Sequence, residues 1–485
     1  MKKNSFRFLA LLLLAVLAGC GGGEGAGGTT TTSSTSATTP TTTGPTLLSL
    51  AVTPINPVIG IGTSLQFTVT GTYSDGTTSA PKTGVTWSSS SSSVDTLFTT
   101  GLVTGKTAGV ATITATVGTV NGSTQLTVNG PYIAVSAGGT HTVALKSNAT
   151  LFAWGSNRWG QLGDGTTTDK LVPTLSGTAL TWSYVSAGEF HTAAIRPDGT
   201  LWAWGFNQNG QLGDGSFVDK LAPTKIGDAA TWMAVSAGAA HTVALRKDGT
   251  LWAWGRNFSG QLGDGSTIDR PVPTAVPLPI GKPTTTTWTA AAAGATHTCG
   301  RLSDGTIACW GSNAYGQLGD GTTTQRLLPT AISGFSAVSV SAGGYHTLAI
   351  RADGALFSWG ANDKGQLGIS PNVDGLLPAP VGSRTNLAIV SAGGRHSLTI
   401  NSDRTLWAWG SNSNGQLGTP TVVDNTAVPI SPPLPAGARW LSISSGKFHT
   451  AAIRDDGTLW TWGLNANGQL GDGSFVDRSA PTLLP

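Results

Sequence analysis

Charge, sulfur and long apolar runs are scarce in this chain. Of 485 residues only 11% are charged, three are cysteines and two are methionines. So few cysteines leave no room for a disulfide-dense scaffold. No basic stripe with interleaved aromatics is present, which argues against a nucleic-acid partner. The one extended apolar run, Phe8 to Leu17, is too short to span a bilayer. No GxSxG elbow, HExxH pair, phosphate-binding glycine loop or dinucleotide fingerprint occurs in a fitting context, so no catalytic site and no cofactor are predicted. Gly, Thr, Ser and Trp are abundant instead, with 68 Gly and 17 Trp. That composition suits strands and tight turns rather than helices and predicts an all-β protein.

Lys2, Lys3 and Arg7 precede the apolar run, and Leu17-Ala18-Gly19-Cys20 follows it, the layout of an export signal with a processing site. The tetrad resembles a bacterial lipobox. That resemblance implies cleavage after residue 19 and lipidation of Cys20, with more than one acyl chain giving a stable anchor. Gly21 after the cysteine implies the outer membrane or cell surface of a Gram-negative bacterium. Removing the three N-terminal cations from 27 Lys and Arg leaves 24, equal to the 24 Asp and Glu, so the exported chain is formally neutral.

Residues 20–45 are almost wholly Gly, Thr and Ser and hold nothing to bury, so they read as a disordered linker. A coil of that length spans about 25 to 30 Å. From 46 to 129 the pattern turns to six or seven short alternating strands with Gly, Ser, Asp and Pro turns, a β-sandwich. Its segments QFTVTGTYSDGTT, GVTWSS and GLVTGKTAGVATITAT resemble the bacterial immunoglobulin-like group 2 family. The resemblance implies a surface spacer or adhesive module with Trp87 buried at its centre.

Residues 131–485 are seven copies of one unit of about fifty residues. Trp-Gly recurs at Trp154, Trp204, Trp254, Trp310, Trp359, Trp409 and Trp462, each followed by a GQLG tetrad. Every histidine of the protein occupies one repeat position: His141, His191, His241, His297, His346, His396 and His449. Segments such as HTVAL and LWAW are strands with both side-chain parities apolar, so both faces must be buried. Turns such as Pro-Asp-Gly and Lys-Asp-Gly join them as hairpins. Sheets stacked on two neighbours each and closed into a ring meet that requirement and leave only short edges, a seven-bladed β-propeller. The unit VSAGxxHTxALRxDGTLWAWGxNxxGQLGDGTxxDxxxPT closely resembles the regulator of chromosome condensation repeat across the whole of 131–485. The resemblance implies the same propeller. The first repeat starts at about Tyr132 and the seventh ends at Pro485, so the cut falls near a blade boundary with no obvious strand exchange, and the sequence leaves open how the ring is closed.

Features that repeat seven times are poor candidates for chemistry, which needs unlike groups converging on one centre. The histidines are therefore expected to be structural, hydrogen-bonded to backbone within their own blades, and not metal ligands. The pairs Asp164/Asp169, Asp214/Asp219, Asp264/Asp269 and Asp472/Asp477 lack the spacing of a calcium loop and are read as turn formers. In the fourth repeat, counting outward from the Ser-Asp-Gly turn pairs Cys299 with Cys309 directly across the hairpin, within reach of a disulfide.

The variable positions within the repeat are better candidates. Two loops vary most, the xx of SAGxxHT and the xx of NxxGQLG, and strand order puts both on one face. They carry Arg158, Trp159, Glu189, Phe190, Phe258, Tyr315, Tyr345, Arg395, Lys447 and Phe448, the aromatic and arginine-rich composition of protein-binding hot spots. The expected function is a non-catalytic binding module on an envelope lipoprotein, its partner an extracytoplasmic protein or, alternatively, a glycan. Secreted bacterial propellers in the resembled family include inhibitors that clamp β-lactamases with one face. The family's eukaryotic namesake implies a different activity, guanine-nucleotide exchange on a small GTPase.

Overall fold

The computed structural model describes residues 44–177, 180–383, 385–420, 428–430 and 439–484. Cys20 and the expected linker up to residue 43 lie outside the described residues, as do most of 421–438. Every regular element among the described residues is a β-strand, so the described part of the chain is all-β.

Ten strands between Leu47 and Asn129 form three sheets around one core. The period-2 alternation of Gly109–Val117 turns Ala111, Ile113 and Ala115 inward and its threonines outward. Two details differ from the sequence reading. The run from Ser64 to Tyr73 is two strands rather than one, because the chain changes sheet at Phe67, whose N–H bonds Gly101 O at 2.9 Å. Phe67, only 1% exposed, holds the centre of the core, while Trp87 is half-buried at its margin with its ring centroid 6.5 Å from that of Phe67.

Beyond Tyr132 the described strands form seven four-stranded antiparallel sheets, each built from consecutive strands. The third sheet is representative: Trp232–Ala237, His241–Arg246, Leu251–Gly255 and Arg270–Val276. Each first strand lies against the first strand of the next sheet, and that of the last sheet, Trp440–Ser445, lies against Tyr132–Ala137 of the first. The first strands therefore surround an axis, the sheets radiate from it, and the fold is a β-propeller. Its ends meet by sheet-to-sheet packing, with no exchanged strand among the described residues.

A repeated set of hydrogen bonds joins the sheets. The Thr after each histidine (Ser397 in the sixth sheet) donates its hydroxyl to the carbonyl of the GQLG glutamine one sheet back, as Thr242 does to Gln211 O at 2.8 Å. The Trp-Gly indole donates to the same carbonyl, Trp254 Nε1 to Gln211 O at 3.0 Å. The histidine of that earlier sheet then reaches the hydroxyl, His191 Nε2 to Thr242 Oγ1 at 2.9 Å. The triplet recurs at every junction and closes the ring through His449, Thr142, Gln469 and Trp154. Since the hydroxyl proton is already donated, Nε2 must carry the histidine proton, leaving Nδ1 bare. The histidines are fully buried. Their partner corrects the expectation: it is a side-chain hydroxyl of the next sheet, not backbone of their own.

The Cys299–Cys309 pair is directly opposite in register, 4.1 Å apart at Cα and disulfide-bonded. It replaces Val143 and Ala153 of the first sheet inside the core.

Two outcomes follow from these junctions. Replacing Thr242 by Val keeps the shape but strands His191 Nε2–H and half-empties Gln211 O; urea unfolding should show a loss of about 2 to 4 kcal/mol, whereas Thr242→Ser, matching Ser397, should cost under ~1 kcal/mol. Burial holds the histidines well below their ordinary range, His141 and His241 at about 3 and His191 and His297 at about 4, with neighbouring histidines adding to the effect at His141 and His241. The unfolded chain takes up these protons near pH 6.5 and the folded one does not, so stability is full above that pH and falls as pH drops toward 4. Melting midpoints measured from pH 8 to pH 4 should decline steeply below about 6.5; a flat profile would contradict the neutral buried ring.

Candidate functional site

First and third strands run toward one face of the disc, and second and fourth strands run away from it, which places the SAGxx and NxxGQLG loops together as the sequence predicted. At the centre of that face the seven corresponding turns, Ser-Ala-Gly in five sheets, Ala-Ala-Gly in the fourth and Ser-Ser-Gly in the seventh, join in a ring of backbone bonds. It runs from Gly139 N to Gly188 O, Glu189 N to Gly238 O, and onward to Lys447 N with Gly138 O. The glycines are required here, since a Cβ on Gly138 would collide with the imidazole of His141.

Inside the ring lies a depression of about 230 Å³ walled by Ala and Gly. Five predicted residues stand around it: Glu189, Tyr345, Arg395, Lys447 and Phe448. Lys447 Nζ donates to Glu189 Oε1 at 2.6 Å across the intervening first sheet, where Gly139 contributes no side chain. Arg395 pairs with Asp363 at 2.7 Å. The Lys447 ammonium also sits 5.5 Å from the centre of the Phe448 ring.

The other predicted residues lie farther out and divide into groups. Trp159 packs on Phe206 with centroids 5.0 Å apart, Phe206 meets Phe190 at 6.3 Å, and the Arg158 guanidinium covers Trp159 at 5.0 Å. Tyr315 stands edge-on to Tyr345 at 5.4 Å, joining the fourth sheet to the fifth. Phe258 is 74% exposed and has no ring partner among the described residues. The structure thus brings nine of the ten predicted residues into contacts on one face and leaves Phe258 alone.

Sequence reasoning missed several members of this face. Phe206 follows the Trp-Gly pair, a position that varies from Ser156 to Arg256 to Leu464 between repeats and carried the same signal as the loops that were chosen. Asp363 lies within a chosen loop, and only its ion pair with Arg395 reveals its role. Phe217 with Val218, and Phe475 with Val476, are exposed apolar pairs in the turns just before the fourth strands of the second and seventh sheets.

The GDG aspartates are turn formers. Asp264 accepts from Ser266 N at 3.0 Å and Asn257 Nδ2 at 3.0 Å, and its second oxygen pairs with Arg270 at 2.7 Å. Asp320 and Asp472 are held the same way by Arg326 and Arg478. The face is therefore built from packed rings and ion pairs around a shallow central hollow, an arrangement that can receive a complementary surface.

Comparison with known proteins adds to this picture. A curated relative, Ice-binding protein 1 of Shewanella frigidimarina, is 44% identical over 86 residues, 18% of this chain and 10% of that protein. The chain therefore spans about a tenth of the length of the curated relative it matches. Among solved structures, human WBSCR16 aligns with TM-score 0.62 and 23% identity over 69% of this chain and 94% of that one. Prp20p of Saccharomyces cerevisiae aligns with TM-score 0.62 and 22% identity, covering 70% of this chain and 87% of that one. At such identities these likenesses establish the propeller fold. The family model described as RCC1-like domain matches residues 18–339 and 229–485. Repeat pattern, junction geometry and this match together place the chain in the RCC1-like domain family.

Proposed function

We propose that this chain is an exported lipoprotein, anchored through Cys20, whose seven-bladed propeller binds an extracytoplasmic protein without catalysis, carried on an immunoglobulin-like spacer. The observation that carries this reading is the opposition of two faces. Tyr132 N donates to Gly457 O at 3.0 Å and Pro131 O accepts from Ser147 N at 3.0 Å; Gly457 and Ser147 belong to hairpin turns, so the N-terminal segment enters on the hairpin face. The ten predicted contact residues lie on the other face. A chain tethered by its N-terminus would turn that variable face away from the anchor.

The first, second and seventh sheets supply most of the candidate contacts. Trp159, Phe190, Phe206 and Phe448 stand there with Arg158 and the Lys447–Glu189 pair, flanked by the exposed Phe217 and Phe475. Large rings ordered by their neighbours lose little freedom on binding, which favours them as anchors. A glycan stacked on the same rings is the alternative ligand.

The test is affinity capture of envelope and secreted proteins by the full exported chain, followed by titration of each captured protein. Trp159→Ala and Phe448→Ala should weaken binding by about 30-fold or more, the loss of a hot-spot residue, with Tyr315→Ala reporting on the opposite sector and melting midpoints unchanged. Undiminished binding by all three variants would sink the assignment of this face.

Family membership favours a second reading, guanine-nucleotide exchange on a small GTPase. Prp20p is described with its binding properties to Gsp1p and histones. Nucleotide release from candidate small GTPases should be unaffected by this chain, and acceleration at substoichiometric amounts would make exchange the leading reading.

A further inference from the structure

Seven repeats provide an internal standard for packing, and one junction departs from it. At the start of the second, third, fourth and seventh sheets a tryptophan, Trp182, Trp232, Trp288 or Trp440, wedges between that sheet and the one before. Each meets the strand-three rings of its own sheet. Trp182 lies 6.2 Å from Trp202 and 5.6 Å from Trp204, and Trp440 lies 6.4 Å from Trp460 and 5.9 Å from Trp462. The second strand makes room with a small residue, Ala194, Ala244, Gly300 or Ala452; the Trp288 ring lies so close over Gly300 that no Cβ would fit. Where the fifth sheet lacks this tryptophan, Phe335 supplies a ring at 5.6 Å from Trp359.

In the sixth sheet the tryptophan position is Leu387 and the small-residue position is Thr399. Leucine with threonine fills less space than an indole with alanine. At this junction a cavity of about 260 Å³, partly open to solvent, lies between the fifth and sixth sheets, lined by Leu356, Val381, Leu387, Thr399, Trp407 and Trp409 together with Gly368, Gly382 and Ser383. These are the counterparts of the residues that enclose Trp182 at the junction of the first and second sheets, where Leu151, Ala194, Trp202 and Trp204 pack on it. The Thr399 hydroxyl is turned to Ile389 O at 2.7 Å, which leaves its methyl to the hollow. Across the two strands from Leu387, Asn401 stands where the third and seventh sheets have Arg246 and Arg454, and its Oδ1 is buried without a hydrogen-bond partner.

We infer that this cavity is a binding site for a small neutral aromatic molecule of indole size. The chemistry follows from the sister sheets, where the same walls close on an indole that belongs to the chain itself. Apolar cavities smaller than this one bind a single aromatic ring in place of water, and the volume lies below the range of drug-sized pockets, which limits the ligand to one or two fused rings. Nothing in this inference depends on the partner face.

Indole itself is the probe, titrated calorimetrically into the full chain. Saturable binding with a dissociation constant on the order of 1 mM or tighter is expected for so few heavy atoms, together with a rise in melting midpoint. The double substitution Leu387→Trp with Thr399→Ala restores the Trp440/Ala452 pair of the next sheet; it should raise the melting midpoint of the free protein and abolish indole binding. Thr399→Ala alone widens the slot and should tighten binding several-fold, which keeps the test decisive if the double variant does not fold. Absence of binding to the wild-type chain, equal binding by the double variant, or no gain from Thr399→Ala would each overturn the inference.

Discussion

The propeller depends on one carbonyl per repeat. The GQLG glutamine oxygen points into the junction and accepts both the hydroxyl and the indole N–H of the following sheet, Thr192 and Trp204 at Gln161 being one instance. A carbonyl with both lone pairs engaged in a dry interface is fully satisfied, and loss of either donor is expensive there. This geometry fixes how far apart successive sheets stand and at what angle. It also explains the glycine that ends each tetrad: Gly163 lies against the Trp204 indole, and a side chain there would push the next sheet away.

Histidine completes the clamp because it is the only side chain whose neutral form offers a donor on one edge and tolerates a bare nitrogen on the other. Its neighbours add a second layer nearer the axis. Inner-strand serines bond the next sheet's backbone at six junctions, as Ser186 does with Ala237 N, and the fourth sheet has Ala292 at that place. The fourth sheet instead carries the Cys299–Cys309 bond, a cross-link confined to one hairpin. Such a short loop ties the second strand to the third, so its stabilising effect is modest, although Cys299 Sγ also lies 3.8 Å from the clamp hydroxyl of Thr347 in the next sheet.

Because the scaffold is written seven times, whatever is written once stands out. On the loop face the single features are rings and charges, and they occupy solvent. Inside, the single features are the Cys299–Cys309 bond and the Leu387 and Thr399 pair, the latter lining a cavity. Both come from the same cause: positions that do not take part in the clamp are free to change, and change at a buried position alters volume where change at an exposed one alters recognition.

The sequence by itself determined the repeats, the strand pairs within each sheet, the register that faces Cys299 to Cys309, and the face on which the loops emerge. All of these follow from spacing along the chain, through side-chain alternation and hairpin geometry. Tertiary structure alone decided the rest. His191 finds Thr242 some fifty residues away, Phe206 joins Trp159 of another sheet, Lys447 reaches Glu189 across the closing junction, and Phe67 displaces Trp87 from the centre of the N-terminal core. Spacing specifies which way a side chain points, but its partner is set by the neighbouring sheet that arrives there, and that contact exists only once the ring has closed.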